Sequence, residues 1–122
     1  MYEISIGKSF SAAHSLRGYD GNCACLHGHN WEVSAILRVS ELDSIGIALD
    51  FKKLKREVDE VIGKFDHVCL NDTESFAACN PTSENIARVI YQELSAKLND
   101  GNVKVYKVEV AESPNSKAAY FD

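Results

Sequence analysis

The sequence of 122 residues contains no apolar run long enough to span a bilayer, and no signal-peptide pattern follows Met1. No membrane partner is expected, and the expected location is the cytoplasm. A dense basic run is also missing, and the net charge is −5. That argues against a nucleic-acid partner. An anionic small substrate stays open, because a local field can oppose the net charge. There is no glycine-rich phosphate loop, internal repeat, low-complexity segment or linker. The two prolines and seven glycines fall mostly between periodic segments. Cysteines number four (Cys23, Cys25, Cys69 and Cys79). Without a secretion signal, reduced thiols are expected rather than two disulfides.

What is present is an ordinary globular composition, 45% hydrophobic and 25% charged. Residues 1–122 are long enough to bury one core and are expected to form a single domain. Residues 2–14 alternate, with Tyr2, Ile4, Ile6, Phe10, Ala12 and His14 on one face. Lys8 interrupts that apolar row. After a loop over 15–26, residues 27–40 alternate again, with His27, His29, Trp31, Val33, Ala35, Leu37 and Val39 together. Asp50 can cap a helix over 51–64, apolar at Phe51, Leu54, Val58, Val61, Ile62 and Phe65. Residues 66–80 read mostly as loop. Pro81-Thr82-Ser83-Glu84-Asn85 starts a second helix, running to about Leu98, with Thr82 or Ser83 as cap. Val103 to Glu112 reads as a strand with a bulge where its apolar phase switches between Val105 and Val108. Ala118 to Phe121 forms a last short strand. The order ββααββ describes an α+β domain, with a four-stranded antiparallel sheet and two helices on one face.

The chemistry-bearing residues gather around Cys23-Ala24-Cys25-Leu26-His27-Gly28-His29. Residues i and i+2 of a strand share a face, so His27 and His29 project side by side. If the first two strands pair as a hairpin, His14 joins them. Three neutral imidazoles with a fourth position open form the ligand set of a catalytic zinc site. Cys23 and Cys25 admit three readings: ligands of a closed structural site, a strained disulfide, or a thiolate beside the metal. Spacing does not choose among them. Asp66-His67 reads most simply as a helix-end pair without a role, and otherwise as a carboxylate-oriented proton carrier. Glu112 is either a solvated strand end or a buried carboxylate that needs a ligand's N–H groups. Thr82, Ser83 and Glu84 are most simply helix caps.

Together these residues resemble the 6-pyruvoyl-tetrahydropterin synthase and 6-carboxytetrahydropterin synthase family, over almost the whole chain. The resemblance is carried by Ser9-Phe10-Ser11-Ala12-Ala13-His14, Cys23-x-x-x-His27-Gly28-His29, Asp50-Phe51, and Phe65-Asp66-His67 with Leu70-Asn71. Pro81-Thr82-Ser83-Glu84-Asn85 and Val110-x-Glu112 complete it in order. It implies zinc on His14, His27 and His29, Cys23 as catalytic thiol, and Asp66 and His67 as its proton-transfer partners. It makes Glu112 the anchor of the pterin ring, with Thr82, Ser83 and Glu84 near the substrate. It implies a tunnelling fold (T-fold) whose subunits join sheets into a barrel, commonly a homohexamer of two trimers with active sites between subunits. The implied activity is 6-carboxy-5,6,7,8-tetrahydropterin synthase, acting on 7,8-dihydroneopterin triphosphate in queuosine biosynthesis. The alternative within the family is 6-pyruvoyl-tetrahydropterin synthase. A reading of another class is a non-catalytic pterin-binding or structural zinc protein. Cys25 departs from the family pattern as an extra cysteine, and the spacing to His27 favours Cys23 as the reacting thiol.

Overall fold

The computed structural model describes residues 1–21 and 24–122. Two long strands, β1 (Tyr2–His14) and β2 (His27–Val39), are followed by helix α1 (Phe51–Ile62) and a short strand β3 (Val68–Cys69). Helix α2 (Ser83–Leu98), strand β4 (Val103–Ser113) and strand β5 (Ser116–Phe121) complete the chain. The sheet order is β3-β1-β2-β4-β5. It is antiparallel except for β3, which runs parallel to β1.

The sheet therefore has five strands where four were expected. Val68–Cys69 pairs with Ala12–Ala13, and the His67 N–H donates to the Ser11 carbonyl at 2.6 Å. Two paired residues leave no alternation to read, so the segment resembled loop. The bulge in β4 is present: Ile36 faces Lys107, but Leu37 faces Val105. Tyr106 is thus the extra residue, which restores Val108 and Val110 to the buried face.

The period-2 pattern of β1 and β2 explains the core. Phe10, Trp31, Val33, Leu37, Val105, Val108 and Val110 point to the helix side and are buried. Leu54, Val58, Val61 and Ile62 of α1 and Ile86, Ile90 and Leu94 of α2 cover them. Asp50 caps α1 by accepting from the Lys52 N–H, and Thr82 caps α2 by accepting from the Asn85 N–H. Phe51, counted in the apolar stripe, is half exposed instead, because it begins the helix outside the packed layer. Lys8 reaches Asp59 of α1 at 3.1 Å, which accounts for a charge in an apolar row. Among the described residues, no helix is long and apolar enough to cross a membrane.

Candidate metal centre and binding cavity

The hairpin register sets His14 directly opposite His27, with Ala12 opposite His29. All three imidazoles lie on the helix-covered face at one end of the sheet. The nitrogens they offer lie within 4.8 Å of one another. Trp31 forms the floor, its ring edge-on to His14 at 4.9 Å and to His29 at 5.0 Å. Its indole N–H donates to the Ala12 carbonyl at 3.2 Å, which fixes the ring.

The hydrogen bonds decide what the cluster can hold. His14 Nδ1 lies 2.8 Å from the Pro81 carbonyl, and His27 Nδ1 lies 2.7 Å from the Cys25 carbonyl. A carbonyl only accepts, so both Nδ1 atoms carry the proton and both neutral rings keep a lone pair on Nε2. Those two Nε2 atoms face each other at 3.0 Å. His29 Nε2 is buried and has no hydrogen-bond partner. Two opposed lone pairs beside a third imidazole nitrogen without a partner is an unsatisfied arrangement by itself and a suitable one for a metal cation. Burial lowers the pKa of His14 foremost, with the neighbouring His27 and His29 adding to it against the Pro81 hydrogen bond. Burial likewise lowers the pKa of His29, partly opposed by Glu112. Neutral rings are the form that binds metal.

Glu112 follows the last β4 residue paired with β2 and interrupts the β4–β5 register. Its carboxylate comes within 3.7 Å of His29 Nε2. Glu112, Thr82, Ser83 and Glu84 line one cavity of 320 Å³ together with His14, Leu16 and Tyr19. The sequence placed these acidic and hydroxyl residues on two separate elements, and the fold brings them to one wall beside the histidines.

At the β1 edge His67 lines a different hollow, with Ser11, Gly28, His29, Asn30 and Cys69, and Asp66 sits beside the His67 ring. The Asp66 carboxylate accepts from the Ser11 N–H at 2.9 Å and lies 2.9 Å from His67 Nδ1. The Ser11 N–H is the main cause that lowers the Asp66 pKa, with His67 adding to it. His67 holds a left-handed backbone at φ 59°, unusual outside glycine. His29 lines this hollow and His14 lines the other, so both border the histidine cluster. Cys23, the expected catalytic thiol, lies outside the described residues. Cys25, Cys69 and Cys79 are free thiols.

Sequence reasoning missed the Pro81 and Cys25 carbonyls, which orient two of the rings, and the cavity residues Leu16 and Tyr19. The carbonyls carry no side-chain signal, and loop residues carry no periodicity.

The chain matches the family model described as 6-pyruvoyl tetrahydropterin synthase over residues 3–122. It is 37% identical to a 6-carboxy-5,6,7,8-tetrahydropterin synthase of Synechocystis, covering 93% of this chain and 88% of the relative. It is 33% identical to the Bacillus subtilis protein of the same name, over 98% of this chain and 84% of the relative. Among solved structures, the 6-pyruvoyl tetrahydropterin synthase of Caenorhabditis elegans superposes with a TM-score of 0.87 at 31% identity. That match covers 99% of this chain and 95% of the other. The five-stranded sheet with its two helices is thus a T-fold domain. A match of sequence and fold along nearly the full length means that this chain belongs to the 6-pyruvoyl tetrahydropterin synthase family.

Proposed function

We propose that the protein is a zinc-dependent 6-carboxy-5,6,7,8-tetrahydropterin synthase. It takes 7,8-dihydroneopterin triphosphate and water to 6-carboxytetrahydropterin, acetaldehyde and triphosphate, a step toward queuosine and other 7-deazaguanines. The observation that carries this reading is the convergence of three imidazole nitrogens within 4.8 Å of one another beside a cavity walled by Glu112. The names of the Synechocystis and Bacillus relatives support the carboxy product.

His14, His27 and His29 hold the metal. Zinc bound there supplies Lewis acidity, lowering the pKa of side-chain hydroxyls and stabilising developing negative charge. Glu112 receives two neighbouring N–H groups of the pterin edge on its two oxygens. Thr82 spends an oxygen lone pair on the Asn85 N–H and keeps its hydroxyl proton for the ligand. Ser83 and Glu84 complete that wall. The Cys23 thiolate removes a carbon-bound proton, and His67 returns protons once its ring is aligned by Asp66.

Among the described residues, the outer edge of β5 and most of that of β1 have no partner strand. Open edges of this kind invite pairing, which supports a homo-oligomer, a hexamer of two trimers. Sedimentation in dilute buffer tests this; a stable, active monomer defeats it.

Incubating the zinc-loaded protein with dihydroneopterin triphosphate and weighing the products tests the activity. Acetaldehyde with a 6-carboxy pterin is expected. A 6-pyruvoyl product without acetaldehyde would move the protein to the reaction named for the nematode neighbour. Unchanged substrate held by folded, zinc-loaded protein would leave a pterin-binding protein without catalysis.

A further inference from the structure

The sequence motif Leu70-Asn71 and the residue Asn80 have no part in the chemistry above, yet their side chains make a distinctive pattern. Beyond His14, β1 leaves the sheet, and the backbone groups of Ser15 and Arg17 need new partners. Asn71 supplies both for Ser15. Its Oδ1 accepts from the Ser15 N–H at 2.9 Å, and its Nδ2 donates to the Ser15 carbonyl at 2.9 Å. Asn80 does the same for Arg17, accepting from its N–H at 2.9 Å and donating to its carbonyl at 2.8 Å. Each amide side chain stands in for one residue of a neighbouring strand.

These two brackets adjoin the metal cluster. Pro81, next to Asn80, offers the carbonyl that orients His14. The Asn80 carbonyl in turn accepts from Asn85 Nδ2 in the first turn of α2 at 2.9 Å. The Arg17 guanidinium bonds the Phe76 and Cys79 carbonyls at 2.7 and 2.8 Å, closing the same loop onto the strand extension. His14 is thus gripped at its ring by Pro81 and just past its backbone by Asn71 and Asn80. The wall of the cavity, Thr82 to Glu84, begins two residues after Asn80.

We propose that Asn71 and Asn80 are positioning residues, which hold His14 at the metal centre in register with the Thr82–Glu84 wall. The proposal rests on the reading of His14 as a metal ligand. A group hydrogen-bonded to a ligand from behind, as the Pro81 carbonyl is to His14, typically tunes metal affinity by about 10–100-fold, and the asparagines act by holding that contact in place. Neither asparagine touches the metal or the substrate; both act through His14.

The chain contains its own control. Asn102 brackets Glu41 in the same way, accepting from its N–H at 2.8 Å and donating to its carbonyl at 3.0 Å. It does so at the Val39–Val103 end of the sheet, more than about 30 Å along β2 from His27 and His29 at roughly 3.3 Å per residue. Asn→Asp keeps side-chain volume and the acceptor, and turns the donor into an oxygen facing a carbonyl. In Asn71→Asp and Asn80→Asp, competition with a chelator should show zinc bound about tenfold more weakly or worse than in wild type. Amide exchange at Ser15 and Arg17 should also quicken in the zinc-free protein. Asn102→Asp should change neither. Wild-type zinc affinity in both site variants, or an equal loss of affinity in Asn102→Asp, overturns the proposal. A wild-type chain that takes up no zinc would defeat the metal reading alone. The brackets are then judged on the zinc-free protein, where unchanged exchange at Ser15 and Arg17 overturns them and a His14 Nδ1 proton signal lost in Asn80→Asp supports them.

Discussion

The Glu112 carboxylate stands 3.7 Å from His29 Nε2, beyond hydrogen-bond reach but close enough for the carboxylate charge to act on that ring. It therefore borders the metal cluster without being tied up by it, and its oxygens stay available to a ligand in the cavity. Glu112→Gln sets an N–H₂ group against the N–H donors of a pterin edge. Losing one partner of a desolvated, charged hydrogen bond typically costs roughly 2–5 kcal/mol. The expected result is a folded, zinc-loaded protein with weak pterin binding and little product. Calorimetric titration with a pterin checks it, and wild-type affinity would return Glu112 to an ordinary strand-end charge.

Removing a ligand should separate metal from fold. His27→Ala leaves two imidazoles, a poor zinc site, so bound zinc measured by atomic absorption should fall to a small fraction of wild type. It also removes one of two lone pairs opposed at 3.0 Å, so the zinc-free variant should melt no lower than zinc-free wild type. Cys23→Ala should keep its zinc and lose turnover. Zinc loss in Cys23→Ala would instead make that cysteine a ligand.

Acid should act on the same cluster in a defined direction. Burial lowers the pKa values of His14 and His29 in the folded chain below the ordinary 6.5. Below that value the unfolded chain takes up protons that the fold refuses. Unfolded then binds more protons than folded, so stability rises with pH across the window and falls as pH drops through it. Zinc-free protein should therefore melt lower at pH 5.5 than at pH 7.5. Zinc-loaded protein should keep its metal to a more acid pH than exposed imidazoles would, because protons compete less well for these rings. A zinc-free melting temperature that does not change between the two pH values would contradict this.

The legible parts of the molecule were those with a period. The alternation of 2–14 and 27–40 sufficed to place three histidines on one face, because strand pairing brings i and i+2 neighbours of both strands together. The phase switch between Val105 and Val108 marked a bulge in the Val103–Glu112 run, and the register places it at Tyr106. β3 was not legible, since its pairing is specified by the His67 N–H and the Ser11 carbonyl, groups every residue carries. The orientation of His14 depends on the Pro81 carbonyl, and the Asn71 and Asn80 brackets join residues more than fifty apart. Asparagine in a loop usually signals only a turn, so nothing local marked these.

His67 carries the last prediction because its backbone and its side chain ask for different residues. At φ 59° it occupies the left-handed region, which costs a non-glycine residue roughly 1–2 kcal/mol. Its N–H is held by the Ser11 carbonyl and its ring by Asp66, so the surroundings fix the strained turn. Glycine suits that backbone and alanine does not. If the turn is kept for the ring's sake, His67→Gly should be at least as stable as His67→Ala, by up to about 1 kcal/mol in denaturant melts. Both variants should keep zinc, since His67 is no part of the histidine cluster, and both should lose most turnover. Near-wild-type turnover in His67→Gly would assign the residue to the turn alone and remove it from the proton path. Lower stability in His67→Gly than in His67→Ala would instead show that the left-handed turn is not a strain the fold bears for the histidine.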